Sequence, residues 1–165
     1  MQNASELIEA AYDQYADAIF RHCYLRLNNR EVAKELMQDT FLKTFQYVGK
    51  GKDVENVRAL LYRIANNLII DYVRRSKETS LDALQEAGFD PTGSDDRQLA
   101  GRLDDQRVAE TLHKLDKDTR ELIVMRFISD MKPREIAEVL GISPNVASVR
   151  IHRALQDLKS LLKQP

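Results

Sequence analysis

The chain is poor in cysteine, proline and glycine. Its 165 residues include one cysteine, four prolines and six glycines. A single cysteine, Cys23, excludes an intramolecular disulfide, and no Cys/His group has the spacing of zinc ligands, so we expect no metal and no cofactor. Scarce glycine and proline, with no turn-bounded runs of Val, Ile and Thr, favour an all-α fold.

The chain also lacks long apolar runs and an excess of either charge. No run approaches the roughly 20 residues of a membrane span, and the N-terminus has no signal-peptide pattern, so we expect a cytoplasmic protein. The net charge of −1 hides a segregation of charge: residues 76–103 carry three basic and six acidic side chains, whereas residues 141–165 carry four basic and one acidic. A basic C-terminal segment can contact phosphates, although a neutral chain should bind DNA poorly by itself.

Helical periodicity is clear in the first half of the chain. Three segments have apolar residues at spacings of three and four, which predicts three helices. They are residues 5–27, 31–47 and 57–75. Asn28 and Asn29 favour a turn after the first, and a loop with Gly49 and Gly51 follows the second. The buried anchors expected in the second helix are Val32, Leu36, Phe41 and Phe45.

The second half predicts a linker and then a second helical domain. Residues 76–103 are polar, acidic and interrupted by Gly and Pro, which indicates a flexible linker. The periodicity returns afterwards, and Asp118 followed by Glu121 resembles a capping box at the start of a helix. We therefore expect two small helical domains, residues 1–75 and 104–165, joined by the linker.

The pattern near the C-terminus predicts a helix-turn-helix. A short helix should run from Pro133 to Leu140, because proline suits a first turn, and Gly141 should end it in the left-handed conformation. Ser143 is a good N-cap for a second helix, from Pro144 to about Leu162. That helix has an apolar back, a polar front with Asn145, Ser148, Val149 and His152, and Arg150 and Arg153 on its shoulders. Such a helix suits a major groove, with arginines at phosphates and the front at base edges.

Four segments of the chain together resemble one family. They are Glu35–Phe41 (ELMQDTF), Leu60–Arg75 (LLYRIANNLIIDYVRR), Glu135–Ser143 (EIAEVLGIS) and Val149–Leu155 (VRIHRAL). The chain is similar in these blocks to extracytoplasmic-function sigma factors of bacterial RNA polymerase. The resemblance covers residues 7–75 and 107–162 and implies a subunit that directs core polymerase to promoters through −10 and −35 elements.

The resemblance implies a role for several residues of the first domain. Glu35, Gln38 and Asp39 would contact the β′ clamp helices of core polymerase. The loop 49–56 and the third helix would meet the −10 element and hold a flipped base, which needs a shaped pocket. Ile64 and Asn67 would line that pocket. The basic residues implied in −10 binding are Lys50, Lys52, Arg58, Arg63, Arg74 and Arg75.

The resemblance also implies the role of the second domain. Asn145, Ser148, Val149 and His152 would face bases of the −35 element, and Arg150 and Arg153 would contact phosphates or guanine. The apolar surface of residues 107–127, with Leu112, Leu115 and Leu122, would either hold the flap tip of the β subunit or pack as core. An anti-sigma factor is an expected further partner.

Two other classes of protein compete with this interpretation. A stand-alone dimeric helix-turn-helix regulator would explain the C-terminal pattern, but it has no reason to contain the LYRIANN segment with its double arginine. An enzyme is disfavoured because the Gly49–Lys52 stretch lacks P-loop spacing and the three histidines are scattered. We therefore expect no catalytic residues.

Overall fold

All described secondary structure is helical. The computed structural model describes residues 2–83 and 103–163, with side chains from 4 to 78 and from 106 to 163. The helices are α1 (Gln2–Leu27), α2 (Arg30–Gly49), α3 (Val57–Ala83), α4 (Leu103–Leu112), α5 (Lys117–Ile123), α6 (Pro133–Leu140) and α7 (Pro144–Lys163), with a π-helical turn at Val124–Ile128. We call 2–83 the N-terminal block and 103–163 the C-terminal block. No helix in these two ranges is long and apolar enough to cross a membrane.

The N-terminal block is a three-helix bundle. The predicted turn between α1 and α2 is confirmed: Asn28 has φ 53°, and the Asn29 side chain accepts the backbone N–H of Val32 at 3.1 Å. The bundle core consists of fully buried apolar side chains, among them Phe20, Leu25, Met37, Leu61 and Ile69. Phe45 was expected in this core and is instead 42% exposed.

Helix α3 is longer than its apolar periodicity predicts. It continues past Arg75 to Ala83, so residues 76–83, expected as flexible linker, are helical. The physical reason is that SKETSLDA contains neither proline nor glycine, so nothing in it stops a helix that has already begun. The rest of the predicted linker, up to residue 102, lies outside the described residues.

The start of α5 corrects one prediction. The N-cap is Asp116, whose Oδ1 accepts the backbone N–H of Thr119 at 2.8 Å, and not Asp118. Hydrogen bonds from Thr119 to this carboxylate, first from its side chain and then from its backbone N–H, lower the pKa of Asp116. Glu121, expected to complete a capping box with Asp118, is instead buried in an ion pair with Arg26 of the other block.

The helix-turn-helix forms as predicted. Pro133 begins α6, and Gly141 follows it in the left-handed conformation at φ 68° and ψ 36°. Ser143 Oγ accepts the backbone N–H of Val146 at 3.2 Å and so caps α7. The Lys132 side chain cannot accept a hydrogen bond, but Glu135 Oε1 accepts the backbone N–H of Lys132 at 3.0 Å, which secures the first turn of α6.

The two blocks pack against each other. Helix α1 contacts α4 and the π-helical turn, and α3 contacts α6, the first helix of the helix-turn-helix. This packing brings part of the predicted −10 surface against the domain predicted to read the −35 element.

Candidate nucleic-acid interface

Helix α7 presents the predicted front to solvent. Its back is buried through Ala147, Ile151 and Ala154, which fixes the rotation of the helix. The structure exposes all six side chains predicted to face DNA, which are Asn145, Ser148, Val149, Arg150, His152 and Arg153. Within the described residues Arg150 and Arg153 form no ion pair, so both guanidinium groups are available to phosphates.

A second polar stripe runs along α3. Arg63, Asn67 and Arg74 are exposed on one side of the helix, at spacings of four and seven. Asp71 lies beside this stripe and pairs with Arg74 at 2.5 Å and with Arg75 at 3.1 Å. Because both arginines are largely exposed, these pairs hold weakly and do not prevent the arginines from meeting phosphates.

The loop between α2 and α3 contributes two exposed lysines. Lys50 and Lys52 are exposed, and Lys52 Nζ lies 4.7 Å from the centroid of the Tyr47 ring. Asn56 Oδ1 accepts the backbone N–H of Ala59 at 3.1 Å and so caps the start of α3. The cap ties the end of the loop to the helix, which gives the predicted base-binding region a defined shape.

A cavity of 370 Å³ lies between this loop, α3 and α6. Its walls come from both blocks: Tyr47, Asp53, Val54, Glu55, Asn56, Ala59, Leu60 and Arg63 on one side, and Arg134, Glu135, Glu138 and Val139 on the other. The structure thus places Arg63 in a cavity between the predicted −10 loop and α6. Ile64, which is half-buried, and Asn67, which is exposed, lie outside its lining.

Arg58, predicted to hold the DNA backbone, is bound by the C-terminal block. Its Nη1 donates to both carboxylate oxygens of Glu135, at 3.2 and 3.0 Å. Its Nη2 donates to the backbone carbonyls of Ser129 and Asp130, at 2.5 and 2.9 Å. The guanidinium also lies 5.3 Å from the centroid of the Tyr62 ring. In this arrangement the C-terminal block engages both terminal nitrogens of the Arg58 guanidinium, the groups that would otherwise meet a phosphate.

A second cross-block contact is centred on Arg26. Its Nη2 lies 3.2 Å from Glu121 Oε1, and its Nη1 donates to Asn66 Oδ1 at 2.5 Å. Burial lowers the pKa of Arg26, while the neighbouring Glu121 carboxylate opposes that effect. Asn66 is fully buried, so it supports Arg26 and cannot reach DNA in this arrangement.

The third cross-block contact joins His22 to Ser129. His22 Nδ1 lies 2.9 Å from Ser129 Oγ, and the imidazole packs edge-on to Tyr62 at 5.1 Å between centroids. Burial, and secondarily the charge of Arg26, holds the pKa of His22 well below its ordinary value. Burial also raises the pKa of the neighbouring Cys23 thiol to about 12. We call these three contacts, around Arg58, Arg26 and His22, the interblock interface.

Helix α2 presents an apolar patch that the sequence analysis missed. Of the residues predicted to contact core polymerase, Glu35 and Gln38 are exposed and Asp39 is half-buried. Beside them, Leu42 is 56% and Phe45 42% exposed. The buried side of α2 is complete without them, and apolar spacing alone did not reveal this. Its buried residues are Ala33, Leu36, Met37, Thr40, Phe41 and Thr44.

The apolar surface of residues 107–127 is largely core. Leu112 and Leu122 are buried and Leu115 is half-buried, which favours packing over exposure for these three side chains. Phe127, in the π-helical turn, is instead 47% exposed. No group of His, Cys, Asp or Glu within the described ranges has the arrangement of a metal site.

Comparisons with known proteins give the family. A model of sigma-70 region 2 matches residues 11–79, and a model of sigma-70 region 4 matches residues 105–158. The ECF RNA polymerase sigma factor SigW of Bacillus subtilis is 30% identical, over 92% of this chain and 86% of its own length. The chain belongs to the extracytoplasmic-function sigma factors. The Bacillus subtilis RNA polymerase sigma factor YlaC is similar as well, at 29% identity over 92% of this chain and 90% of its own length.

Two solved structures share the fold. RpoE of Bartonella quintana, in complex with the anti-sigma factor NepR, aligns with a TM-score of 0.74 at 23% identity over 94% of this chain and 96% of its own. CnrH, in complex with the cytosolic domain of CnrY, aligns at 0.71 and 26% identity over 98% and 92%. The chain matches both region 2 and region 4 of the sigma-70 family, so the alternative of a stand-alone dimeric regulator is not favoured.

Proposed function

We propose that this sigma factor binds core RNA polymerase through α2 and reads its promoter with two separate surfaces, one in each block. The observation that carries the proposal is that each block exposes a polar surface: the front of α7, whose back is buried, and the polar stripe of α3. No step in this role requires catalysis by the chain itself, and its place of action is that of the polymerase, the cytoplasm.

The core-binding surface combines charge with apolar area. Glu35, Gln38 and Asp39 supply acidic and polar groups suited to basic side chains of the β′ clamp. Leu42 and Phe45 supply exposed apolar area beside them, and buried apolar side chains give most of the binding energy of typical interfaces. The acidic residues would then set the orientation of the complex, and Leu42 and Phe45 would provide most of its affinity.

The −10 surface consists of the loop 49–56 and the exposed stripe of α3. Lys50, Lys52, Arg74 and Arg75 suit the sugar-phosphate chain, because each is an exposed cation on the loop or on α3. Arg63 lines the cavity near the N-terminal end of α3, and a flipped base held there would need polar and stacking contacts. Asn67, one turn further along, would contact the adjacent nucleotide, with Ile64 packing beneath it.

The −35 surface is the front of α7. The N-terminal half of a recognition helix reaches base edges, which suits Asn145, Ser148, Val149 and His152. Arg150 and Arg153 flank this front and suit phosphates on either side of the groove. The β flap remains a proposed partner of the C-terminal block, through exposed Phe127 rather than the buried leucines.

The interblock interface implies that the −10 surface becomes fully available only after the blocks separate, whereas the front of α7 is already exposed. Glu135 of α6 binds Arg58, and α6 forms one wall of the cavity that would receive the flipped base. Core polymerase, by binding each block, would supply the energy that separates them. An anti-sigma factor, of the kind seen with the solved relatives, would oppose this step by favouring the packed arrangement.

Transcription with substituted templates tests these assignments. Core polymerase and the protein are first used on genomic fragments to find start sites, and the −10 and −35 elements of one promoter are then altered in turn. Arg150→Ala and Arg153→Ala should reduce transcription and weaken its dependence on the −35 sequence. Asn67→Ala should do the same for the −10 sequence only.

Lys163→Ala is the matched control for these variants. It removes the same charge from the far end of α7, away from the predicted front, and should leave both dependences unchanged. If every variant changed the dependence of transcription on the −10 and −35 sequences equally, the proposal that each block reads one element would be contradicted.

A further inference from the structure

The front of the recognition helix contains exposed valines where polar side chains would be expected. Val149 is 51% exposed and Val146 is 40% exposed, three residues apart on α7. The buried back of the helix is complete without them, because Ala147, Ile151 and Ala154 already fill it. Neither valine is therefore required for packing of the C-terminal block.

Val149 occupies the centre of the exposed front. A helix advances about 100° per residue, so Val149 lies nearly opposite Ala147 and Ile151. Asn145 and Arg153, four residues before and after Val149, flank it on the same side of the helix. Val146, whose backbone N–H is bound by the Ser143 cap, lies in the first turn. Both valines thus lie in the half of a recognition helix that enters the major groove most deeply.

Only one base offers an apolar group in the major groove. Thymine carries a C5 methyl there, whereas the other bases present hydrogen-bond donors and acceptors along the same edge. A valine placed over a donor or acceptor would remove water from it without replacing the hydrogen bond, which is unfavourable. A valine placed over a thymine methyl buries apolar area on both sides.

We propose that Val149, with Val146 beside it, reads thymine methyl groups, so that the −35 element has an A·T pair beneath the centre of α7. Asn145 supports this assignment, because a side-chain amide matches the adenine edge of such a pair. The inference rests on the proposed role of α7 in −35 recognition and adds the base type that this helix selects.

Deoxyuridine substitution tests the methyl contact directly. Deoxyuridine pairs as thymine does and lacks only the C5 methyl group. Each thymine of the −35 element, on both strands of a promoter found with the holoenzyme, is replaced in turn, and initial transcription rates are compared. Burial of one methyl predicts a loss of about three- to fivefold at one or two adjacent positions. Loss at no position overturns the proposal.

Variants of α7 assign the contact to its residue. With Val149→Ala holoenzyme, the thymine-to-deoxyuridine ratio at the sensitive position should fall to about one, and with Val146→Ala it should fall at a neighbouring position. Ser160→Ala, an exposed residue of α7 beyond the predicted front, should keep the wild-type ratio. Retention of the full ratio in Val149→Ala overturns the assignment. Unchanged thermal unfolding of each variant, expected from the exposure of both valines, shows that folding is intact.

Failure of the underlying role gives a different result. If Arg150→Ala and Arg153→Ala leave the dependence on the −35 sequence unchanged, α7 does not contact this element, and both the proposed role and the methyl contact are overturned. If these variants weaken that dependence while deoxyuridine has no effect at any position, the role of α7 stands and the thymine inference alone is overturned.

Discussion

Neutralising Glu135 should release the two blocks from each other. Glu135→Gln keeps the length of the side chain and an oxygen that can accept the backbone N–H of Lys132, so α6 keeps its first turn. The substitution removes the charge that holds Arg58 through two hydrogen bonds. Arg58 keeps its bonds to the Ser129 and Asp130 carbonyls, so the interface is weakened rather than abolished.

The size of the effect follows from the exposure of the pair. Hydrogen bonds to charged groups contribute about 1.5–3 kcal/mol when they are well shielded from solvent. The Arg58 and Glu135 side chains retain 25% and 15% of their exposure, so screening by water reduces this value. We expect about 1 kcal/mol, or roughly a fivefold shift toward separated blocks. The affinity of the free protein for a single-stranded −10 oligonucleotide should rise by up to the same factor, because only molecules with separated blocks can bind the oligonucleotide fully.

Distance measurement between the blocks provides the assay. Cysteines introduced at Asp17 of α1 and Lys159 of α7, both exposed, carry spin labels or fluorophores. Native Cys23 is buried and its pKa is raised to about 12, so it should not react. Glu138→Gln is the control. Glu138 lies one turn after Glu135 on α6 and forms no ion pair within the described residues, so the substitution removes the same charge without affecting Arg58. An unchanged distance distribution and unchanged oligonucleotide affinity in Glu135→Gln, or an equal effect of Glu138→Gln, would refute the reasoning.

Three further predictions concern the other surfaces. The pKa of His22 is lower in the folded protein than in the unfolded chain, so the unfolded chain binds more protons below about pH 6.5. The free energy of unfolding should therefore be constant above that pH and fall as the pH decreases below it. Thermal unfolding of His22→Asn should depend less on pH. Asn67→Ala should slow promoter opening by about tenfold, as measured by permanganate reactivity of −10 thymines, with unfolding unchanged because Asn67 is exposed; normal opening would contradict its placement. Leu42→Ser should weaken core binding by about 1–2 kcal/mol without affecting stability, whereas Lys43→Ser on the same helix should not; fluorescence anisotropy with core polymerase distinguishes the two.

Local signals account for most of what the sequence predicts correctly. The helix-turn-helix is specified by residues with one structural preference each: Pro133 for a first turn, Gly141 for a left-handed C-terminus and Ser143 for an N-cap. Apolar spacing likewise predicts which side of α7 is buried, because the three inward residues repeat at helical intervals. Such signals act within a few residues and need no knowledge of the tertiary structure.

Contacts between distant residues are not recorded in such patterns. Arg58 and Glu135 are 77 positions apart. The resemblance implied DNA binding for Arg58, and no sequence signal gave Glu135 a partner. Glu121 illustrates the same difficulty, because its spacing from Asp118 predicts a cap while the structure uses it to neutralise Arg26. Periodicity also does not separate a core anchor from an exposed apolar side chain at the edge of the stripe, as with Phe45.

The central claim is that the protein directs core polymerase to promoters through both blocks. Transcription with purified core polymerase on genomic fragments tests it most directly. The account predicts discrete new transcripts that require the protein, share two upstream elements, and are lost with Asn67→Ala or with Arg150→Ala and Arg153→Ala combined. No new transcript with core polymerase, together with a footprint of the protein alone on a palindrome, would contradict it.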